Sequence, residues 1–211
     1  RFEQIKRFHS FEPGTMDHAM YGADLLFGPE QMIRRFVKDP SFDQLICVAI
    51  AKHSDFKLEG IEDERTLLHA RLIRDADKLD NCRVKLEESM ETLLDMDEKT
   101  VGASPISPKV WESCKAEKSV LSADRKTGMD YWMSYLALYF DINFPETYQI
   151  IKEQDYIRRI AERVPYSRED TKEKVAYIVK KLEEKMDGGC DGFCSVLHYA
   201  LADGSFCSIR R

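Results

Sequence analysis

The stretch Arg74-Asp75-Ala76-Asp77-Lys78-Leu79-Asp80 places three carboxylates within a pattern that otherwise indicates a partly buried helix. With a rotation of about 100° per residue, one arc of this helix is apolar and holds Leu68, Leu72, Ile73, Ala76 and Leu79. The opposite arc is charged, is predicted to be solvated, and holds Arg71, Arg74, Asp75 and Lys78. Asp80 projects into the apolar arc and Asp77 lies at its edge. A carboxylate that faces a core is costly unless a cation meets it, so an arginine or a metal ion is expected beside these side chains.

Two upstream histidines are candidates for the rest of a metal site. Thr15 or Asp17 is predicted to cap a helix that begins near His18, and the dipole of that helix favours the neutral, metal-binding form of the histidine. Ser41 begins a capping-box pattern, and the apolar helix that follows is predicted to be buried on most sides and to end at His53. Neutral imidazoles combined with carboxylates suit zinc, iron or manganese.

The sequence leaves a structural interpretation open for each of these residues. Asp17 and His18 are also typical of a helix cap, and His53 is typical of a histidine that hydrogen-bonds at a helix C-terminus. Asp77 and Asp80 are equally compatible with ion pairs to arginines of a neighbouring helix.

Five segments carry a resemblance to a known family. In order, they are Arg1-Phe2-Glu3-Gln4, Met16-Asp17-His18-Ala19-x-x-Gly22, Ala49-Ile50-Ala51-Lys52-His53, Ile73-Arg74-Asp75-Ala76-Asp77-Lys78-Leu79-Asp80 and Phe140-Asp141-Ile142-Asn143. Together they resemble bacterial HD-domain metal-dependent phosphohydrolases, over residues 1 to about 186. The aspartate segment and the order and separation of the histidines carry the resemblance, because a single histidine is not specific.

The resemblance implies an all-α, HD-domain-like helical bundle over residues 1–186. It implies a hydrolase that cleaves a phosphomonoester or phosphodiester of a nucleotide or a similar small molecule. In this family a histidine, an adjacent His-Asp pair and a final aspartate bind a divalent metal, and two further histidines bind a second one. Asp77 corresponds to the final aspartate, and His18 and His53 correspond to the two further histidines. The implied cofactors are one or two divalent metal ions (Mn, Fe, Zn or Mg), which activate a water.

One part of the family signature is missing from the chain. No histidine here is followed directly by aspartate. In similar proteins that pair immediately precedes an Arg-Phe-Glu-Gln segment, and this sequence begins at such a segment, so we expect that it lacks its true N-terminus. His9 is a poor substitute ligand. If the site is incomplete, the alternative function is a catalytically inactive helical domain that binds a nucleotide or a protein partner.

Lys78 is the candidate for a second catalytic residue besides Asp77. A lysine next to the metal-binding aspartate can reach a bound phosphate if its long side chain wraps around the helix. The helical wheel, however, places Lys78 on the solvated face, which is the simpler interpretation.

Composition narrows the class of protein. The formal net charge of the 211 residues is −6, which argues against a surface that coats nucleic acid. No run approaches the roughly 18 apolar residues of a membrane span, so no membrane partner is expected. Three cysteines in helical contexts, Cys47, Cys82 and Cys114, favour a reduced, cytoplasmic protein. Aromatic residues are dense over 129–140 and predict a bundle core; such helices often bury dimer interfaces, so a homodimer is a further expectation.

The remaining pattern predicts helices joined by short loops. The expected helices cover 30–37, 62–96 with a break near Asn81-Cys82, 110–121, 129–140, a segment between Pro145 and Pro165, and a long helix from Ser167 to Met186. Residues 187–211 are rich in Cys, Gly and Ser and are predicted to be a solvated or docked tail, for which an origin outside the domain is left open. A zinc site of Cys190, Cys194, His198 and Cys207 is disfavoured there, because the spacing differs from the usual paired-cysteine knuckles.

Overall fold

A computed structural model describes residues 16–191, with side chains as far as residue 188. All regular secondary structure in this range is helical, so the predicted all-α class is confirmed. The ten α-helices are α1 (His18–Phe27), α2 (Asp43–Lys52), α3 (Glu64–Glu87), α4 (Met90–Leu94), α5 (Glu98–Ala103), α6 (Pro108–Lys115), α7 (Gly128–Ala137), α8 (Pro145–Glu153), α9 (Tyr156–Glu162) and α10 (Glu169–Asp191). Short 3-10 helices cover Met32–Arg35, Pro40–Phe42, Ser122–Asp124 and Leu138–Asp141.

The chain divides into two compact units, Arg1–Lys78 and Leu79–Arg211. In the first unit α1 packs mainly against α2. Helix α1 begins where the sequence predicts, because the Asp17 carboxylate accepts hydrogen bonds from the main-chain N–H groups of Ala19 and Met20. These two donors have no partner within the helix, so the cap stabilises the N-terminus of α1.

The start of α2 differs from the prediction. Asp39, not Ser41, supplies the capping side chain, and it caps the 3-10 helix Pro40–Phe42 that leads into α2. The predicted capping box at Ser41 is therefore wrong. Most of α2 is half-buried, and Ala49 is its one fully buried residue, so the expectation of burial on most sides was also too strong.

The buried face of α3 is not the one that the helical wheel predicts. Arg74, Asp75 and Lys78 are 7%, 1% and 4% exposed, whereas Leu68 and Leu72 are 51% and 55% exposed. The prediction of a solvated charged arc and a buried apolar arc was therefore wrong. A buried charge is tolerated where polar partners replace water, and the Arg74 guanidinium donates hydrogen bonds to three main-chain carbonyls.

Asp80 also lies elsewhere than predicted. It is exposed rather than directed into a core, and it forms an ion pair with Arg83 of the same helix at 3.0 Å. The arginine partner anticipated for it belongs to its own helix, one turn further on. Helix α3 runs without interruption through Asn81 and ends at Glu87, so the predicted break near Asn81-Cys82 was wrong.

The second unit is organised around α7. Eight of its ten residues are buried, and Trp132, Met133 and Leu136 are inaccessible to solvent. Helices α5, α6 and α10 pack against α7. The aromatic segment 129–140 thus lies in the core, as the sequence predicts, and each large apolar side chain buried there contributes roughly 1.5–3 kcal/mol relative to exposure.

Helix α10 supplies a second wall of this core. Its predicted apolar stripe is largely buried, with Val175, Ile178, Leu182 and Met186 each at most 5% exposed. The helix continues past Met186 to Asp191. The proposed origin of residues 187–211 outside the domain stays a prediction.

The loops of the second unit are fixed by two close approaches. The buried carboxylate of Asp130 accepts hydrogen bonds from the main-chain N–H groups of Ser107, Lys126 and Thr127 and from the Ser107 hydroxyl. Gly102 lies so close to the main-chain oxygen of Pro165 that a Cβ there would overlap it. Both contacts join segments that are distant in sequence.

No helix of the part of the chain that the structure describes combines the length and the apolar character needed to cross a bilayer.

Candidate metal centre

His53 is held at the C-terminal end of α2 by a hydrogen bond from its own ring. Its Nδ1 atom lies 2.7 Å from the main-chain oxygen of Ile50. A carbonyl oxygen only accepts hydrogen bonds, so Nδ1 must carry the proton. In the neutral ring Nε2 then has a lone pair that is available to a metal, which is the arrangement that an outer-shell carbonyl imposes on metal-binding histidines.

His18 meets this lone pair from the first turn of α1. Its Nε2 atom lies 3.2 Å from Nε2 of His53, and the two rings are nearly perpendicular, with centroids 5.0 Å apart. With both rings neutral, Nε2 of His53 is the acceptor and Nε2 of His18 carries the proton between them. The structure thus brings together two histidines that are 35 residues apart in sequence.

The separation of the two Nε2 atoms fits a shared metal ion. Nitrogen ligands about 2.0–2.1 Å from one ion, at angles between about 90° and 109°, are about 2.9–3.4 Å apart. The observed 3.2 Å lies inside this range. Binding would replace the single proton between the rings and would require the rings to turn so that both lone pairs point at the ion.

The environment of His18 favours the neutral form of its imidazole. Although part of the ring is accessible, loss of hydration lowers the pKa of His18 from its ordinary value of 6.5, and the neighbouring His53 lowers it further. The Asp77 carboxylate acts in the opposite direction, which places its negative charge near the histidine pair. Loss of hydration is the largest of these effects. It favours the form of His18 that can bind a metal.

Asp77 and Lys78 occupy different faces of α3. Asp77 is exposed, whereas Lys78 is 4% exposed. The expectation that Lys78 is solvated was therefore wrong. Its catalytic role stays a prediction, since a side chain so deeply buried contacts a substrate only if neighbouring residues move.

The predicted ligand set is not assembled as a finished metal site. Within residues 16–188, no three His, Cys, Asp or Glu side chains are grouped closely enough to hold an ion together. His18 and His53 are in contact, and the Asp77 carboxylate acts on His18 through its charge. His9 lies outside the described residues, as do the side chains of the weak tail pattern, Cys190, Cys194, His198 and Cys207.

Sequence reasoning missed the residue that fixes the turn after α2. Arg74 was assigned to the solvated arc of α3, yet its guanidinium bonds to the carbonyl oxygens of His53, Asp55 and Phe56. No pattern around the end of α2 indicates this partner, because Arg74 lies about twenty residues further along the chain.

A cavity of about 270 Å³ in the second unit does not resemble a reaction site. Its lining combines apolar side chains with the ion pairs Lys152–Asp187 and Arg158–Glu183 and with Asp155. Within each ion pair the two charges offset each other. None of the predicted site residues lines it.

Comparison with known proteins finds no matching family model, no matching curated protein and no matching solved structure.

Proposed function

We propose that this chain is an HD-domain-like phosphohydrolase domain that uses a divalent metal and acts on a phosphomonoester or phosphodiester of a nucleotide or a similar small molecule. The observation that carries the proposal is the contact of His18 Nε2 with His53 Nε2 at 3.2 Å. The order of the His18, His53 and Asp77 segments in the sequence adds the resemblance to the HD family. The all-α fold is compatible with that family.

In this proposal each residue has a distinct part. His53 offers Nε2 without any change of protonation, because its Nδ1–H already donates to Ile50. His18 transfers its Nε2 proton to solvent or to its own Nδ1 before it binds the metal. As the resemblance implies, Asp77 would be a ligand of the first metal and the two histidines would hold the second, and the Asp77 carboxylate offsets positive charge near His18. When bound, the divalent ion polarises a phosphoryl oxygen and makes a water acidic enough for in-line attack.

A second candidate function is a non-catalytic helical domain that binds a nucleotide or a protein partner. The observation that favours it is the missing third ligand: the described side chains bring two imidazoles into contact but no third metal-binding group. A site of this kind would bind a divalent ion weakly and would not turn over a phosphoester.

Metal content and turnover separate the two functions. Metal per chain is measured by elemental analysis of protein purified without chelator and supplied with manganese or iron. Hydrolysis is then measured with p-nitrophenyl phosphate, bis(p-nitrophenyl) phosphate and a set of nucleotides. The hydrolase proposal expects bound transition metal together with turnover.

Substitutions assign the site. His53→Ala and Asp77→Ala are expected to lose metal and turnover together, whereas His69→Ala, which removes a histidine from α3 outside the pair, is expected to keep both. A folded His53→Ala variant with full turnover would remove His53 from the mechanism. Wild-type protein that binds neither manganese nor iron and hydrolyses nothing would favour the binding domain.

A further inference from the structure

Arg74 closes the turn that follows α2. Its Nη1 donates to the carbonyl oxygen of His53 at 3.0 Å and also to that of Asp55, and its Nη2 donates to the carbonyl oxygen of Phe56 at 3.1 Å. Arg74 is 7% exposed, so these bonds replace water as the partners of the guanidinium. Three carbonyls within four residues of chain converge on one side chain.

The chemistry of the turn explains why an arginine stands there. The carbonyl of the C-cap residue His53 has no donor within α2, and those of Asp55 and Phe56 lie in the turn beyond it. The negative end of the helix dipole also favours a cation here. A guanidinium presents five N–H donors in a rigid plane and can serve several carbonyls at once, whereas a lysine ammonium is a compact charge on a flexible stem. Only the planar fork suits this arrangement of three oxygens.

The same bonds fix the imidazole of His53. The His53 main chain is held by Arg74, and its ring is held by the carbonyl oxygen of Ile50, one turn earlier in α2. If the turn relaxes, Nδ1 and that oxygen lose their alignment. Arg74 also lies three residues before Asp77 on α3, so one helix carries both the guanidinium that binds the turn and the predicted carboxylate ligand.

We infer that Arg74 is a positioning residue for His53: by binding the three carbonyls after α2 it holds the imidazole in the Nδ1–H form with Nε2 directed at His18. The role of this arrangement in metal binding rests on the proposed function. The arrangement itself does not, because it is a property of the metal-free protein.

The test compares Arg74→Lys and Arg74→Gln with Arg71→Gln in the full chain. Arg71 is an exposed arginine of the same helix, so its variant controls for the loss of charge. Nitrogen-15 NMR of the histidine rings reports the tautomer of His53 in metal-free protein at a pH where the rings are neutral, with His53→Gln used to assign the signal. Circular dichroism confirms that each variant is folded.

We expect the Nδ1–H form of His53 to dominate in wild type and in Arg71→Gln. In the two Arg74 variants we expect a mixture that contains the Nε2–H form. Manganese affinity, measured by calorimetry, should fall by about 10–100-fold in the Arg74 variants, as it does when other outer-shell partners of metal ligands are removed. A folded Arg74→Lys protein with an unchanged His53 tautomer would overturn the inference.

The two proposals fail in different ways. If wild type binds no manganese while the His53 tautomer still depends on Arg74, the positioning role stands and the hydrolase proposal falls. If neither Arg74 variant folds, the inference is tested on the wild-type protein alone, through the NMR signals of the arginine Nη groups. A clamped guanidinium should give separate, slowly exchanging Nη signals for Arg74 but an averaged signal for Arg71, and an averaged Arg74 signal would overturn the inference.

Discussion

Replacing Asp130 by asparagine tests whether one buried carboxylate holds two loops of the second unit. Asp130 is inaccessible to solvent. Its Oδ1 accepts from the Ser107 N–H at 2.7 Å. Its Oδ2 accepts from the Ser107 hydroxyl at 2.6 Å, the Lys126 N–H at 2.9 Å and the Thr127 N–H at 3.1 Å. All four donors face a negative charge, and asparagine removes that charge without changing the size of the side chain.

The cost follows from the number of oxygens. Asparagine has one, and its less costly orientation keeps that oxygen on the Oδ2 side and turns the amide group toward the main-chain N–H of Ser107. That buried N–H then lacks an acceptor, which costs about 1–3 kcal/mol. The other three bonds weaken by about 1 kcal/mol each on losing the charge, and the easier dehydration of asparagine offsets about 2 kcal/mol of the total. We expect Asp130→Asn to lower the free energy of unfolding by about 2–4 kcal/mol.

Urea unfolding followed by tryptophan fluorescence measures the free energy of unfolding of the second unit, which contains Asp130. Both tryptophans of the chain, Trp111 and Trp132, belong to the second unit, and Trp132 is buried two residues after Asp130. Glu173→Gln removes one exposed carboxylate from α10 and should change stability by less than about 0.5 kcal/mol. An Asp130→Asn protein as stable as this control would refute the reasoning.

Three further predictions concern other sites. Gly102→Ala should cost about 2 kcal/mol or more in urea unfolding, because its Cβ would overlap a main-chain oxygen, whereas Gly188→Ala, with open space around it, should cost nothing; equal effects would contradict this. The lowered pKa of His18 means that the unfolded chain gains the proton first as the pH falls through 6.5. The decrease in the free energy of unfolding between about pH 7.5 and about pH 5.5, measured by circular dichroism, should therefore be smaller in His18→Gln than in wild type. An unchanged decrease would contradict this role of His18. Burial raises the pKa of Cys82 to about 11 and that of Cys114 to about 12, so both thiols should resist iodoacetamide until urea unfolds the protein, as mass spectrometry of the labelled peptides can show.

The start of α1 and the main core were predictable because their causes are local or periodic. The carboxylate of Asp17 caps the helix that starts beside it, and a cap depends only on the next few residues. The segment around Trp132 is apolar on nearly every face, so its burial did not depend on choosing a direction. The all-α class followed from such signals.

The orientation of α3 was not predictable from periodicity. The helical wheel counts an arginine as solvent-facing, yet Arg74 is buried because carbonyls from a turn about twenty residues earlier satisfy it. These tertiary hydrogen bonds leave no periodic pattern in the sequence. The helical wheel also misplaced Asp80, because it takes no account of ion pairs such as the one that Asp80 forms with Arg83 of the same helix.

The candidate site was predictable in part. The pairing of His18 with His53 was anticipated from the order of the segments, and the structure brings the two rings into contact. Helix α2 ends beside His53, as predicted, but which ring nitrogen donates to the Ile50 carbonyl depends on the geometry of the turn and was not predictable from the sequence. Lys78 lies on the buried face because of the orientation of α3. Since that orientation was predicted wrongly, the burial of Lys78 was also not predicted.

The carboxylate of Asp130 also has a consequence for the motions of the native protein. The amide protons of Ser107, Lys126 and Thr127 share this single acceptor group, although about twenty residues of chain separate the first from the other two. When the Asp130 carboxylate moves away from one of these N–H groups, its bonds to the other two are disturbed as well. Their hydrogen exchange should therefore be governed by one opening event, which makes two loops of the chain a single cooperative unit in the folded state.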